Sequence, residues 1–270
     1  MAGKGIRFTK ATFFILLLVM LLAVSAVLIY LQIRTDRIGQ AVNQGETLRF
    51  LFIVGSAEDE NTPEYSQAML FHSDTGKCAL FDIPNNVGTL ISSKNRIDRI
   101  DSVFDSKNPE EYIGQIEELM GIRIPNYLYI SSVNLEKLVD LLEGVDIFIA
   151  NPVEFQEDEM VLIPSGSVTL DGPKAVTYSL YTEPGEREPE RITRRQKLVQ
   201  ALFKRIGEQQ TYLQHQKVID TAYSLFSTDL SKRAFTSLVS AFSRLDEDQF
   251  IFQRVLGKER MVEGKSLLFP

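Results

Sequence analysis

The run Ala11–Ile33, ATFFILLLVMLLAVSAVLIYLQI, contains no charged residue. About 20 apolar residues suffice to cross the hydrocarbon core of a bilayer as a helix, so this stretch is long enough to span one. It is thereby withdrawn from any water-soluble core. Lys4, Arg7 and Lys10 precede it with no acidic residue among them, while Arg34 and Arg37 follow with Asp36 between. That bias favours an inside N-terminus. The competing reading is a cleaved signal peptide processed at Val24-Ser25-Ala26. Against it, the apolar run continues through Leu31, beyond the ~7–15 residues of a signal core. The expectation is a single-pass anchor in the cytoplasmic (inner) membrane. Residues 1–10 would be cytoplasmic, 11–33 transmembrane and 34–47 a stalk, with 48–270 an extracytoplasmic (periplasmic) domain.

The remainder is of ordinary single-domain size. A net charge of -7 and a pI near 5.1 exclude nucleic acid as the main partner. With one cysteine, Cys78, no intramolecular disulfide can form. It lies in the strand-like run KCALFDI and reads as a small core residue. His72 and His215 stand far apart in the sequence, which offers neither a histidine metal site nor a Cys/His dyad.

Hydrophobic periodicity and turn residues set out the elements. LRFLFIVG, 48–55, reads as a buried strand. Residues 66–73 and 77–83 read as a hairpin across Asp74-Thr75-Gly76, and 84–95 as irregular. A helix over 108–120 is marked by Asn108, Pro109 and a stop at Gly121. A strand at 127–131, a helix over 134–142 and a strand at 145–150 follow. Val161-Leu162-Ile163 marks a short hairpin, and Asp171 caps a helix running to Tyr181. Helices over 212–226 and 230–245 and a strand at 250–256 complete the pattern. Strands and helices intermix, predicting an α/β fold: a mixed central sheet with helices on both faces, preceded by one transmembrane helix.

One stretch points to function. In ERITRRQKLVQALFKRI, 190–206, Ile192, Leu198, Val199, Leu202, Phe203 and Ile206 make one apolar side of a helix. Arg191, Arg194 and Arg195 crowd its start, where the helix dipole favours acidic residues. Cations there imply an anion opposite them. The plainer reading is ion pairing of Arg191 and Arg194 with Glu186, Glu188 or Glu190.

In order and spacing, these pieces resemble the LytR-CpsA-Psr family of membrane-anchored bacterial envelope proteins. The landmarks are LRFLFIVG, ALFDIP, RIDSVF, the long segment ELMGIRIPNYLYISSVNLEKLVDLLEGVDIFI, GSVTLDGPKAVTYS, RITRRQKLVQALFKRI and the ending from DLSKRAF onward. The resemblance implies a phosphotransferase that moves glycopolymer from a polyprenyl pyrophosphate carrier to the cell wall. Arginines would clamp the pyrophosphate, aspartates would hold Mg²⁺, and a hydrophobic tunnel would take the lipid. This chain departs from the motifs. The first metal aspartate falls near Ser56 or Ala57. The arginine-serine-aspartate-threonine motif falls on Tyr65-Ser66-Gln67-Ala68, and proline-arginine-aspartate on Pro84-Asn85-Asn86. The paired arginines fall on Leu180 and Thr182. Glu58, Asp59 and Glu60 read as a solvated acidic loop, and Arg187 or Arg195 could stand in for a lost arginine. Arg191 and Arg194, three apart on one helix face, are the expected pyrophosphate clamp. No catalytic or metal residue is assigned, and Mg²⁺ is expected only if the family's activity is retained. The expected partners are the membrane and a polyprenyl-(pyro)phosphate-linked ligand or an envelope protein, with catalysis weakened or lost.

Overall fold

The computed structural model describes residues 10–34, 36–156, 160–182 and 188–270. Helix α1 (Lys10–Arg34) is followed by α2 (Arg37–Asn43), which Asp36 caps by accepting the Gly39 N–H at 2.8 Å. Ser237 donates to the same carboxylate at 3.1 Å, tying the start of α2 to the body of the domain. Among the described residues, no helix is long and apolar enough to cross a membrane. On α1 the described side chains are those of 14–28, which rise about 22 Å at 1.5 Å per residue against a hydrocarbon core of about 30 Å.

The chain continues through β1 (Thr47–Gly55), β2 (Pro63–His72), β3 (Lys77–Ile83), β4 (Gly88–Ile91) and β5 (Arg96–Arg99). Then come α3 (Glu110–Met120), β6 (Asn126–Ser131), α4 (Ser132–Leu141), β7 (Val145–Ile149), β8 (Val153–Gln156), β9 (Met160–Ile163), β10 (Gly166–Leu170) and α5 (Gly172–Leu180). The long α6 (Glu188–Glu208) leads to α7 (Gln210–Leu213), α8 (Gln216–Ser224), β11 (Ser227–Thr228) and α9 (Lys232–Phe242). Three strands end the chain: β12 (Phe250–Arg254), β13 (Lys258–Val262) and β14 (Lys265–Phe269).

The main sheet has six strands in the order β11-β6-β1-β2-β3-β12. β6 runs parallel to β1 and β12 parallel to β3, while β2 runs antiparallel to both of its neighbours, β1 and β3. The α/β class with a mixed central sheet is as expected from the pattern. Strand periodicity sends alternate β1 residues to opposite faces. Phe50, Phe52 and Val54 join the core beneath α4, α5, α6 and α9; Leu51 and Ile53 pack with Tyr112 and Ile116 of α3 on the other face. The whole apolar stripe expected of α6 is buried. That helix approaches α9 so closely that a Cβ on Gly207 would lie 2.3 Å from the Phe242 carbonyl oxygen.

Three local readings differ. Residues 84–95 are not wholly irregular: β4 pairs with β5 there, Leu90 opposite Ile97. The helix expected over 212–226 is divided, because His215 is extended (φ -60, ψ 127) and starts α8 afresh. That break lets Leu213 and Ile219 both reach the core. The β13–β14 hairpin was hidden by its turn. Glu263 and Gly264 both have positive φ, 50 and 80, as a two-residue type I′ turn requires, but Glu is not the usual residue for it.

Candidate functional site

A cavity of about 480 Å³ opens where β3 ends. β3 supplies Asp82 and Ile83, and the chain beyond adds Pro84, Asn85 and Asn86. Arg99 comes from β5, Glu259 from β13, and Glu188, Arg191, Ile192 and Arg195 from the first turns of α6. Glu64 on β2 completes the wall. The walls follow from chain direction. Asn85 is held by its side-chain amide, which donates to the Pro63 and Glu64 carbonyls at 2.6 and 3.2 Å. β13 is carried to the cavity by β14, which buries Leu267 and Leu268, bridges to Val87, and binds Asp98 through Lys265 at 2.7 Å.

Asp82 is the central acid of this site. It is 3% exposed and lies opposite Gln67 in the β2–β3 register. Burial raises its carboxyl to about 6, and the nearby Arg195 charge opposes that rise. Arg195 is fixed from three sides. Its Nε donates to the Ser179 carbonyl at 3.2 Å, its guanidinium lies 4.9 Å from the centre of the Tyr65 ring, and Asp82 attracts it. Loss of solvent lowers the Arg195 pKa, while burial raises the Tyr65 hydroxyl to about 12. Around this pair are buried polar atoms without a hydrogen-bond partner among the described residues. They are the Asp82 Oδ1, the Asn85 Oδ1, the Arg191 Nε, the Tyr65 hydroxyl and both amide atoms of Gln67. Buried polar groups are almost always satisfied, and these orphans set the cavity apart from the rest of the interior.

The expected clamp residues are separated. Arg191 lines the cavity and, among the described residues, makes no ion pair with Glu188 or Glu190. Arg194 turns to the C-terminal end of α5, where its Nε donates to the Tyr178 carbonyl at 3.3 Å and a terminal nitrogen donates to the Tyr181 carbonyl. It also lies 5.7 Å from the centre of the Tyr181 ring and lines a neighbouring cavity of about 240 Å³. Arg195, four residues from Arg191, is the arginine that joins it. Helical geometry places positions 194 and 195 about 60° and about 40° from position 191, so spacing alone hardly separates them. Arg99, unnoticed in the sequence as a site residue, also reaches the cavity; its Nε bonds Asp101 at 2.9 Å, and that carboxylate raises its pKa.

The other sequence candidates lie elsewhere. Asp59 accepts from the Asn61 N–H at 2.9 Å and the Thr62 hydroxyl at 2.8 Å, as a local turn rather than a metal ligand. Ser56 and Ala57 stand outside the cavity wall, as do Leu180 and Thr182. Glu186 and Arg187 lie outside the described residues. Behind the cavity, Gln196 is 4% exposed and donates to the Leu80 and Gln253 carbonyls at 3.3 and 2.6 Å. Deeper still, Phe203 contacts Phe50, Phe52 and Phe242 with ring centres 5.8, 5.2 and 4.7 Å away.

No curated protein sequence matches the chain. Several solved structures share its fold. A protein of Enterococcus faecalis described as a transcriptional regulator superposes with a TM-score of 0.71 at 16% identity, covering 84% of this chain and 83% of that one. B. subtilis TagV gives 0.70 at 13% identity, covering 84% and 91%. TagT bound to LI-WTA gives 0.66 at 14% identity, covering 83% and 84%. At these identities the likeness is one of fold. The model of the LytR_cpsA_psr family matches residues 67–270, from β2 through β14 and so across every wall of the cavity but Glu64, and the chain belongs to that family.

Proposed function

We propose that this protein is a membrane-anchored envelope protein that holds a phosphate-bearing ligand in the cavity beside Asp82, with phosphotransfer weakened or lost. The observation that carries the reading is the pairing of Arg191 and Arg195 on one cavity whose wall holds unpartnered polar atoms. Arginine forks match phosphate oxygens in shape and charge. In the family the ligand would be a polyprenyl-(pyro)phosphate-linked glycopolymer; the site described here addresses its phosphates. The lipid tail finds no support behind α6, where phenylalanine rings fill the interior. The anchor would be residues 11–33, with the domain outside the cytoplasm.

A Mg²⁺ ion does not fit the residues present. Mg²⁺ prefers an octahedral shell of oxygen ligands with carboxylates among them. Here the residue facing Asp82 is the amide Gln67, and the Arg195 charge already bears on that carboxylate. Among the described residues, no group of three or more His, Cys, Asp and Glu could hold a metal ion. Phosphoryl transfer depends on neutralising charge at the transferred group, so a site of this composition is suited to binding before chemistry.

The test is turnover against binding. Full-length protein in detergent would be mixed with a polyprenyl pyrophosphate and followed both by calorimetry and for phosphate release. Binding without release is expected; release abolished by Arg191→Ala would establish an active phosphotransferase instead. The anchor has a separate test, since a mature chain starting near Val27 in the soluble fraction would refute it.

A further inference from the structure

We infer that the cavity binds its anion without a divalent metal, the Arg195 guanidinium standing where a metal's positive charge would otherwise be needed. The inference rests on the phosphate-binding reading above and concerns how that site is charged.

Three observations carry it. The first is the transposition of charge between β2, β3 and α6. Tyr65 and Gln67, two apart on β2, are buried beside Arg195 and Asp82 as a ring and an amide, and neither bears a charge. The acid comes instead from Asp82 on the adjacent strand, directly opposite Gln67, and the base from Arg195, laid over the Tyr65 ring at 4.9 Å. Charge is present in the cavity, but on different elements. The second is that Arg195 is held before any ligand arrives. The Ser179 carbonyl takes its Nε at 3.2 Å, and the residue lines the cavity. A fixed cation beside the buried Asp82 carboxylate repels a second one and makes a divalent ion a poor competitor for Asp82. The third is Arg191, four residues earlier on the same helix face, whose Nε is buried and unpartnered. Two guanidinium groups on one wall, one in the field of Asp82 and one whose buried Nε meets no partner among the described residues, form a cradle for two phosphoryl oxygens. Asp82 is then a positioning residue: it orients Arg195 and does not touch the ligand.

The experiment is calorimetric titration of inorganic pyrophosphate into the full-length protein in detergent, once with Mg²⁺ and once with EDTA. Equal affinity within about twofold is expected in the two conditions. Arg195→Gln should weaken binding about tenfold in both, as expected for loss of a charge-assisted fork, while Arg195→Lys should recover part of it. A circular dichroism melt reports whether each variant remains folded, and Arg191→Gln, at a less enclosed position, repeats the test if Arg195→Gln does not fold. Binding that needs Mg²⁺ overturns this inference and leaves the phosphate site standing. Unchanged affinity in folded Arg195→Gln and Arg191→Gln proteins also overturns it. Absence of pyrophosphate binding in either condition overturns both readings.

Discussion

Helix α6 builds two unlike interiors. Its later turns put Leu198, Val199, Leu202, Phe203 and Ile206 into a dry core in which Phe203 meets three other aromatic rings. Its first turns put Arg191 and Arg195 against a polar cavity with a buried acid and several unsatisfied atoms. Gln196 stands between the two, its amide spent on the carbonyls of Leu80 and Gln253. In the core, apolar side chains pack against one another. At the cavity, polar groups are buried without being matched, which costs stability and is retained where a ligand can repay it. The comparison puts the proposed site at the end of the helix that is worse for folding.

The largest expected effect is on the core side. Phe203→Ala removes the ring at the centre of the aromatic cluster and should cost about 3–5 kcal/mol, read as a shift in the denaturation midpoint. A cost below about 1 kcal/mol would mean that the interior is loosely filled and has room for a lipid chain. Asp82→Asn should act in the opposite direction. Because the folded carboxyl is raised to about 6 from its ordinary 3.8, the folded state binds the proton more tightly than the unfolded state. Stability from this group is therefore greatest below about pH 4 and is lost as pH rises through about 6. The variant should be more stable at pH 7 by up to about 3 kcal/mol and should lose that part of the pH dependence, measured by chemical denaturation at several pH values. Arg191→Gln is expected to leave stability within about 0.5 kcal/mol while weakening pyrophosphate binding about tenfold, or about 1.4 kcal/mol. The smallest effect belongs to Arg194→Gln. Losing its bonds to the α5 carbonyls should cost about 1 kcal/mol of stability and leave pyrophosphate affinity within about twofold. A strong loss of affinity there would move the binding site toward the neighbouring cavity.

Much of the architecture was legible in the sequence because its signals are local and periodic. The apolar stripe of α6, the alternation of β1 and the Asp171 cap on α5, which accepts from the Lys174 N–H at 3.0 Å, all arise from residues a few positions apart. The β13–β14 hairpin was not legible, since Glu263 takes a left-handed turn position that its side chain does not advertise. The choice of arginines was equally hidden. Arg191, Arg194 and Arg195 all sit near one face by helical geometry, and nothing local specifies which carbonyls or which acid each meets.

What the sequence by itself determined is the class of the fold and the presence of cations at the head of α6, because hydrophobic period and residue type act over short separations. What only the tertiary structure decided is their use. The end of α5 takes Arg194, the β2–β3 register sets Asp82 opposite Gln67, and the Tyr65 ring and Ser179 carbonyl hold Arg195 beside that acid. Those partners lie from 13 to more than 100 positions away along the chain. Burial and charge at such separations are set by packing, and no local pattern encodes them.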